Sequence, residues 1–156
     1  MKNPEFMKKI TNWLNCRYEE LVQNSSFTSL IGGNTLQFEP ELDDRYDLVC
    51  YDDKVDMIFN QNKELTFFIA SFPLDNKLLD LLSDDKINMR DLNNLDSVLA
   101  TLGTADKEVG PRKLPGVIKN GWLQYQLDDA VDLTFTISHS DPKQIIDVRL
   151  STRSSL

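Results

Sequence analysis

Tyr51-Asp52-Asp53-Lys54-Val55-Asp56-Met57-Ile58-Phe59 and Leu127-Asp128-Asp129-Ala130-Val131-Asp132-Leu133-Thr134-Phe135 align without a gap at a constant offset of 76 positions. Each stretch opens on an Asp-Asp turn and runs into a strand whose every second residue is apolar, the two-residue period of a strand with one buried face. That period sends Val55, Met57 and Phe59 toward a core, as it does Val131, Leu133 and Phe135, and leaves Asp56 and Asp132 on the opposite face. The same offset carries Tyr46 onto Trp122. A repeat of this kind predicts two similar units that share one core, because neither could bury its apolar face alone.

Outward from the first copy, Tyr46 to Tyr51, residues 55–59 and residues 65–72 read as three strands, with Asn60-Gln61-Asn62-Lys63-Glu64 as a polar hairpin loop and Pro73 as the stop. Leu36 and Phe38 alternate with polar partners as a short preceding strand. Phe6, Ile10, Trp13, Leu14, Leu21 and Val22 recur at three- and four-residue spacings and predict one amphipathic helix over residues 6–22, left through the polar stretch 23–26 and Gly32-Gly33-Asn34. After the second strand set, Leu74 to Leu82 forms a brief leucine-rich helix or turn. Outward from the second copy, Leu95, Val98, Leu99 and Leu102 mark a helix capped by Asn93 or Asn94 and stopped by Gly103. Residues 104–121 are an extended or looped crossover, since Gly110-Pro111 and Pro115-Gly116 forbid a continuous helix. Strands resume over 123–127, 131–137 and 145–150, with Ser140-Asp141-Pro142 as the last turn.

The expected fold is therefore α+β: an antiparallel sheet with packed helices, built from two similar helix-plus-meander units at 7–82 and 83–156, in a single domain. At 156 residues, 40% hydrophobic and 27% charged, the chain suits one core. Residues 1–6 read as an expression leader, because Glu5-Phe6 is what an EcoRI cloning site encodes and Met7 offers a second start. Apolar runs are too short to cross a bilayer and there is no signal-peptide core, which predicts a cytoplasmic protein with no membrane partner. Cys16 and Cys50 read as reduced thiols.

Charge is the other informative feature. A formal net charge of -8 argues against nucleic acid as a direct ligand, since phosphate binding needs a basic face. Glu39, Glu41, Asp43, Asp44, Asp47, Asp52, Asp53 and Asp56 against Arg45 and Lys54 leave this one segment at -6. Asp128, Asp129 and Asp132 follow in the second unit. Such clusters serve solubility or dock a basic protein, steering its approach; neither has the spacing of an EF-hand calcium loop. The candidate partner-binding residues are Asp43, Asp44, Asp47, Asp52, Asp53, Asp56, Asp128, Asp129 and Asp132. Candidate aromatic anchors are Tyr51, Tyr125 and Phe68, the last lying out of phase with Leu65, Phe67 and Ile69 if those face the core.

Catalytic chemistry finds little material. His139 is the sole histidine, in a hairpin loop beside Ser138 and Ser140, and no Cys/His pair, metal-ligand spacing, P-loop or other glycine-rich phosphate motif accompanies it. No catalytic residue, metal or cofactor is expected.

Residues 95–103, then Thr104-Ala105-Asp106, Gly121-Trp122-Leu123-Gln124-Tyr125 and Val131-Asp132-Leu133-Thr134-Phe135 together resemble the second unit of bacterial colicin- and pyocin-type immunity proteins. There a short helix ending in Leu-Gly-Thr/Glu-Pro precedes a Gly-Trp strand and a closing hairpin; here Ala105 stands where proline is usual. Tyr18-Glu19-Glu20-Leu21-Val22 and the meander after it resemble the first unit less sharply. The resemblance, which extends to immunity proteins of contact-dependent inhibition, implies a protein that binds and neutralises a cognate toxin. Many such toxins are nucleases, basic because their substrates are not, so an acidic inhibitor can cover the substrate surface. Residues 48–82, a meander followed by a proline and a leucine-rich helix, also look like a type III secretion chaperone, a reading that the last third of the chain disfavours. A small enzyme is the third alternative.

Overall fold

The computed structural model describes residues 7–84, 87–127 and 130–153. Its centre is an eight-stranded antiparallel sheet. The first unit supplies β1 (Gln37–Glu39), β2 (Arg45–Cys50), β3 (Val55–Phe59) and β4 (Leu65–Ser71). From the second come β5 (Lys107–Val109), β8 (Gly121–Leu127), β9 (Val131–Ile137) and β10 (Ile145–Thr152), while β6 (Arg112–Leu114) and β7 (Val117–Lys119) pair only with each other. The order β1-β2-β3-β4-β10-β9-β8-β5 places the two meanders head to head across β4 and β10, each with a three-residue strand at its outer edge. Each unit thus repeats the same path, as the matched Asp-Asp segments predict.

The helices cover one face. Among the described residues these are α1 (Lys8–Thr11), α2 (Tyr18–Leu21), α3 (Ser25–Ile31), α4 (Asn76–Leu82) and α5 (Leu95–Leu102), with a 3-10 turn at Met89–Asp91. Beneath them lie Leu48, Val55, Met57, Phe59, Phe68 and Ala70 from the first meander and Tyr125, Leu133, Phe135, Val148 and Leu150 from the second, all buried in one continuous core. The cap and stop of α5 are as read, with the Asn94 side chain accepting from the Ser97 N–H and Gly103 ending the helix at φ 80°; of its apolar stripe Val98 and Leu102 are buried and Leu95 half-buried, while Leu99 is exposed.

Three expectations need correction. The single helix over 6–22 is two short helices, because Asn15 turns left-handed (φ 68°) and the backbone between them pairs with β4 instead: Asn15 N–H donates to Leu65 O at 2.8 Å and Leu65 N–H to Cys16 O at 2.9 Å. The stretch read as a polar exit contains α3, capped by the Asn24 side chain. Upstream of the strands β3 and β9 the repeat is out of step by one residue. Cys50 faces Val55, but Leu127 faces Val131, so the second turn is one residue shorter. Tyr46 therefore corresponds to Leu123, not to Trp122, and Trp122 lies on the opposite face of the sheet.

Candidate functional site

The face of the sheet away from the helices carries no element of the described chain in its core packing, and its apolar side chains Val49, Ile58, Phe67, Ile69 and Trp122 stand outside the core. Register fixes who stands beside whom. Asp47, Ile58 and Phe67 form one cross-strand row, and Val49, Asp56, Ile69, Arg149 and Thr134 the next. The first unit contributes an apolar patch with a carboxylate in its middle; the second contributes Thr134, Thr136, Gln124 and Gln126.

Around the patch the cations are already engaged. Arg45 holds Asp47 at 2.9 Å, and Arg149 holds Asp147 at 3.1 Å, with Thr136 donating to the same carboxylate at 2.6 Å. Asp56, half-buried between Val49 and Ile69, has a buried Oδ1 with no hydrogen-bond partner. Burial, and secondarily the charge of Asp47, push its carboxyl above the usual aspartate range; Arg45 and Arg149 act against this from a distance. A buried acceptor without a donor costs roughly 1–3 kcal/mol. A cationic group brought onto this face would remove that cost.

Beside the patch opens a groove of about 710 Å3 lined by Leu42, Asp43, Asp44, Ile58, Glu64 and Phe67. Asp43 and Asp44 form the β1–β2 turn, both left-handed (φ 57° and 56°), a conformation aspartate tolerates better than most residues. Asp52 and Asp53, exposed and left-handed as well, make the β2–β3 turn at the far end of the same strands. Asp43, Asp44, Asp47, Asp52, Asp53 and Asp56 all lie on or between β1, β2 and β3, with Asp56 next to the Asp52–Asp53 turn; Asp128 and Asp129 lie outside the described residues.

Asp132, Phe68 and Tyr125 are corrected. Asp132 is on the open face but 2% exposed, held by Arg153 at 2.9 Å, so it is a structural ion pair and not a docking charge. Phe68 points into the helix side, edge-on to Trp13 at 6.3 Å. The cause is a bulge: Ile58 faces Phe67 while Phe59 faces Leu65, so Thr66 is the extra residue and the alternation flips after Leu65. Phe67 and Ile69 are consequently the outward side chains, which sequence alternation missed. Tyr125 is core, its hydroxyl donating to Gly103 O at 2.9 Å, and its phenol is pushed up to about 12 chiefly by burial, then by Glu108 and Asp106. Tyr51 packs at the margin of the core and donates to the Asp75 carboxylate, which raises its phenol to about 12.

The groups weighed for catalysis stay apart. His139 is exposed in its loop, with its backbone N–H on Asn120 Oδ1 at 3.0 Å. Both cysteines are free thiols; Cys50, buried beside Asp56, is pushed up to about 11 by burial first, which keeps it protonated and unreactive near neutrality. Among the described residues no three His, Cys, Asp or Glu side chains converge on a metal-sized site, and no helix is long and apolar enough to cross a membrane. Comparison with family models, with curated proteins and with solved structures finds no significant match to the chain.

Proposed function

We propose that this chain is an immunity protein that binds a cognate bacterial toxin domain in the cytoplasm and neutralises it by covering its active or substrate-binding surface. The observation that carries the reading is Asp56: an acceptor buried in an apolar patch, without a donor, on a face the fold leaves open. Apolar surface around a desolvated charge is the form of an interface hot spot. The carboxylates of the neighbouring turns add a field that draws in a basic partner and speeds encounter. A nuclease domain, basic because it grips phosphate, has the complementary surface.

The test is protection. Cells producing the toxin encoded beside this chain should grow when the chain is co-produced, and the two proteins should purify together. Asp56→Lys should abolish both while circular dichroism shows an intact fold. Full protection by a folded Asp56→Lys protein, or a toxin footprint confined to the helical side, would overturn the reading.

A further inference from the structure

The hairpin of β6 and β7 is an arm. Its pairs, Arg112 with Lys119, Lys113 with Ile118 and Leu114 with Val117, involve no other strand, and every residue from 112 to 119 is exposed. Pro115 and Gly116 close it, Gly116 at φ 76° taking the left-handed position of a type II turn. Its base is fixed at Gly121, where a Cβ would come within 2.6 Å of Val109 O. Two strands alone are marginally stable in water, yet this pair shows solvent three large apolar side chains, Leu114, Val117 and Ile118, at 39%, 46% and 51% exposure.

The exposed apolar side chains have a distribution that points to what covers the arm. Among the described residues seven large ones are exposed: three on the arm, Leu99 on α5, and Phe38, Leu42 and Val49 on or between β1 and β2. The arm leaves the sheet between β5 and β8, at the end opposite to β1 and β2. Charge divides the same way. The arm carries Arg112, Lys113 and Lys119 with no acid, while the groove toward the other end combines Leu42, Ile58 and Phe67 with Asp43, Asp44 and Glu64 against one cation, Arg45, which is paired with Asp47. Within one chain the arm does not fill the groove: every residue from 112 to 119 is exposed, and none of them lines it.

We propose that the occupant is a second copy: the arm of each chain lies in the acidic groove of the other, and two copies form a twofold pair that makes the same contact twice. The apolar tip meets the apolar floor, and the three cations meet the acids at its rim. Such a pair covers the groove beside the patch assigned above to the toxin, so toxin and second copy compete. The inference needs no toxin and stands apart from the proposed function.

Light scattering on the full chain tests it. At high micromolar protein and low ionic strength the particle should contain two chains, and it should fall to one as salt rises. Reversing the arm (Arg112→Glu, Lys113→Glu, Lys119→Glu) or the groove (Asp43→Lys, Asp44→Lys) should each weaken pairing by roughly 100-fold or more, because both contacts then oppose like charges. Mixing the two reversed proteins should restore a two-chain particle, since each then meets its opposite. If the lysines disturb the left-handed turn, Asp43→Asn with Asp44→Asn keeps its geometry and should still weaken pairing. Single chains under all conditions, pairing indifferent to arm reversal, particles that keep growing with concentration, or no association in the mixture of folded reversed proteins would each overturn the proposal.

Discussion

Asp56 and Asp132 hold the same place in the two units and have opposite fates. Each is the second residue of its strand, beside the equivalent two neighbours: Val49 and Ile69 for Asp56, Gln126 and Ser151 for Asp132. Even the backbone that closes each hairpin matches, Ser71 N–H donating to Lys54 O at 2.8 Å in one unit and Arg153 N–H to Ala130 O at 2.9 Å in the other. Ser71 therefore stands where Arg153 stands. The guanidinium of Arg153 satisfies Asp132 and also donates to Leu127 O and Val131 O, each at 2.9–3.2 Å; serine has no such reach, and Asp56 is left with a bare oxygen. One substitution in a repeated frame separates a charge used for folding from a charge available for binding.

The comparison breaks first if the faces are misassigned. Phe68→Ala should cost about 4 kcal/mol by emptying a core site, whereas Phe67→Ala, one residue away on the open face, should cost less than about 1 kcal/mol. Urea unfolding of the two variants decides between the bulged register and simple alternation, under which Phe67 would be the costly one. Next in size, Arg153→Met should destabilise by about 3 kcal/mol, because it strands the Asp132 carboxylate, which is 2% exposed, without its cation. An effect near zero would show that the pair contributes nothing to the fold.

Much of this frame is written in the sequence. Val55 to Phe59 and Val131 to Phe135 announce their faces because Asp56, Asp132 and Thr134 mark the side away from the core, with Ile58 the one apolar residue on it. Leu65 to Ala70 announces nothing, since Leu65, Phe67, Phe68, Ile69 and Ala70 suit either side and a single bulge at Thr66 decides. The breaks around Asn15 and Arg17 were equally hidden: the helical spacing of Ile10, Trp13, Leu14 and Leu21 is real, but a non-local pairing with Leu65 and with Glu64 outcompetes a continuous helix. The acidic end was legible as composition. That Asp132 is sealed and Asp56 is not depends on Arg153 lying 21 positions away in sequence, which spacing alone does not reveal.

Ser71→Arg sharpens the comparison by rebuilding in the first unit what the second has. The new guanidinium, two residues along β4 from the neighbour of Asp56, should stabilise the fold by about 1.5 kcal/mol, the lower end for a hydrogen bond to a charged group. On the proposed function it should also weaken toxin binding, since Asp56 is then occupied, so stability and protection move in opposite directions. A variant that gains stability and protects as well as its parent would separate Asp56 from binding.

The smallest effect is a pH dependence, and its sign is fixed. Because burial, and after it Asp47, raise the Asp56 carboxyl in the folded state above its ordinary 3.8, the folded chain holds that proton more tightly than the unfolded chain does. Its contribution to stability is therefore complete below the unfolded value and is lost as pH rises through the folded one. Asp56→Asn removes the titration. Relative to its parent, the variant should gain stability as pH climbs from about 4 toward neutrality, and the difference should then level off. Taking the difference cancels the other carboxylates that titrate in the same range. A basic partner inverts the sign, because a cation on Asp56 favours the charged form. Association of the parent with its toxin should therefore strengthen over the same interval in which its own stability declines, whereas association of Asp56→Asn should change less. A stability difference that is flat from pH 4 to 7 would mean that Asp56 is solvated in the folded chain, and that the open face holds no unpaired charge for a partner to meet.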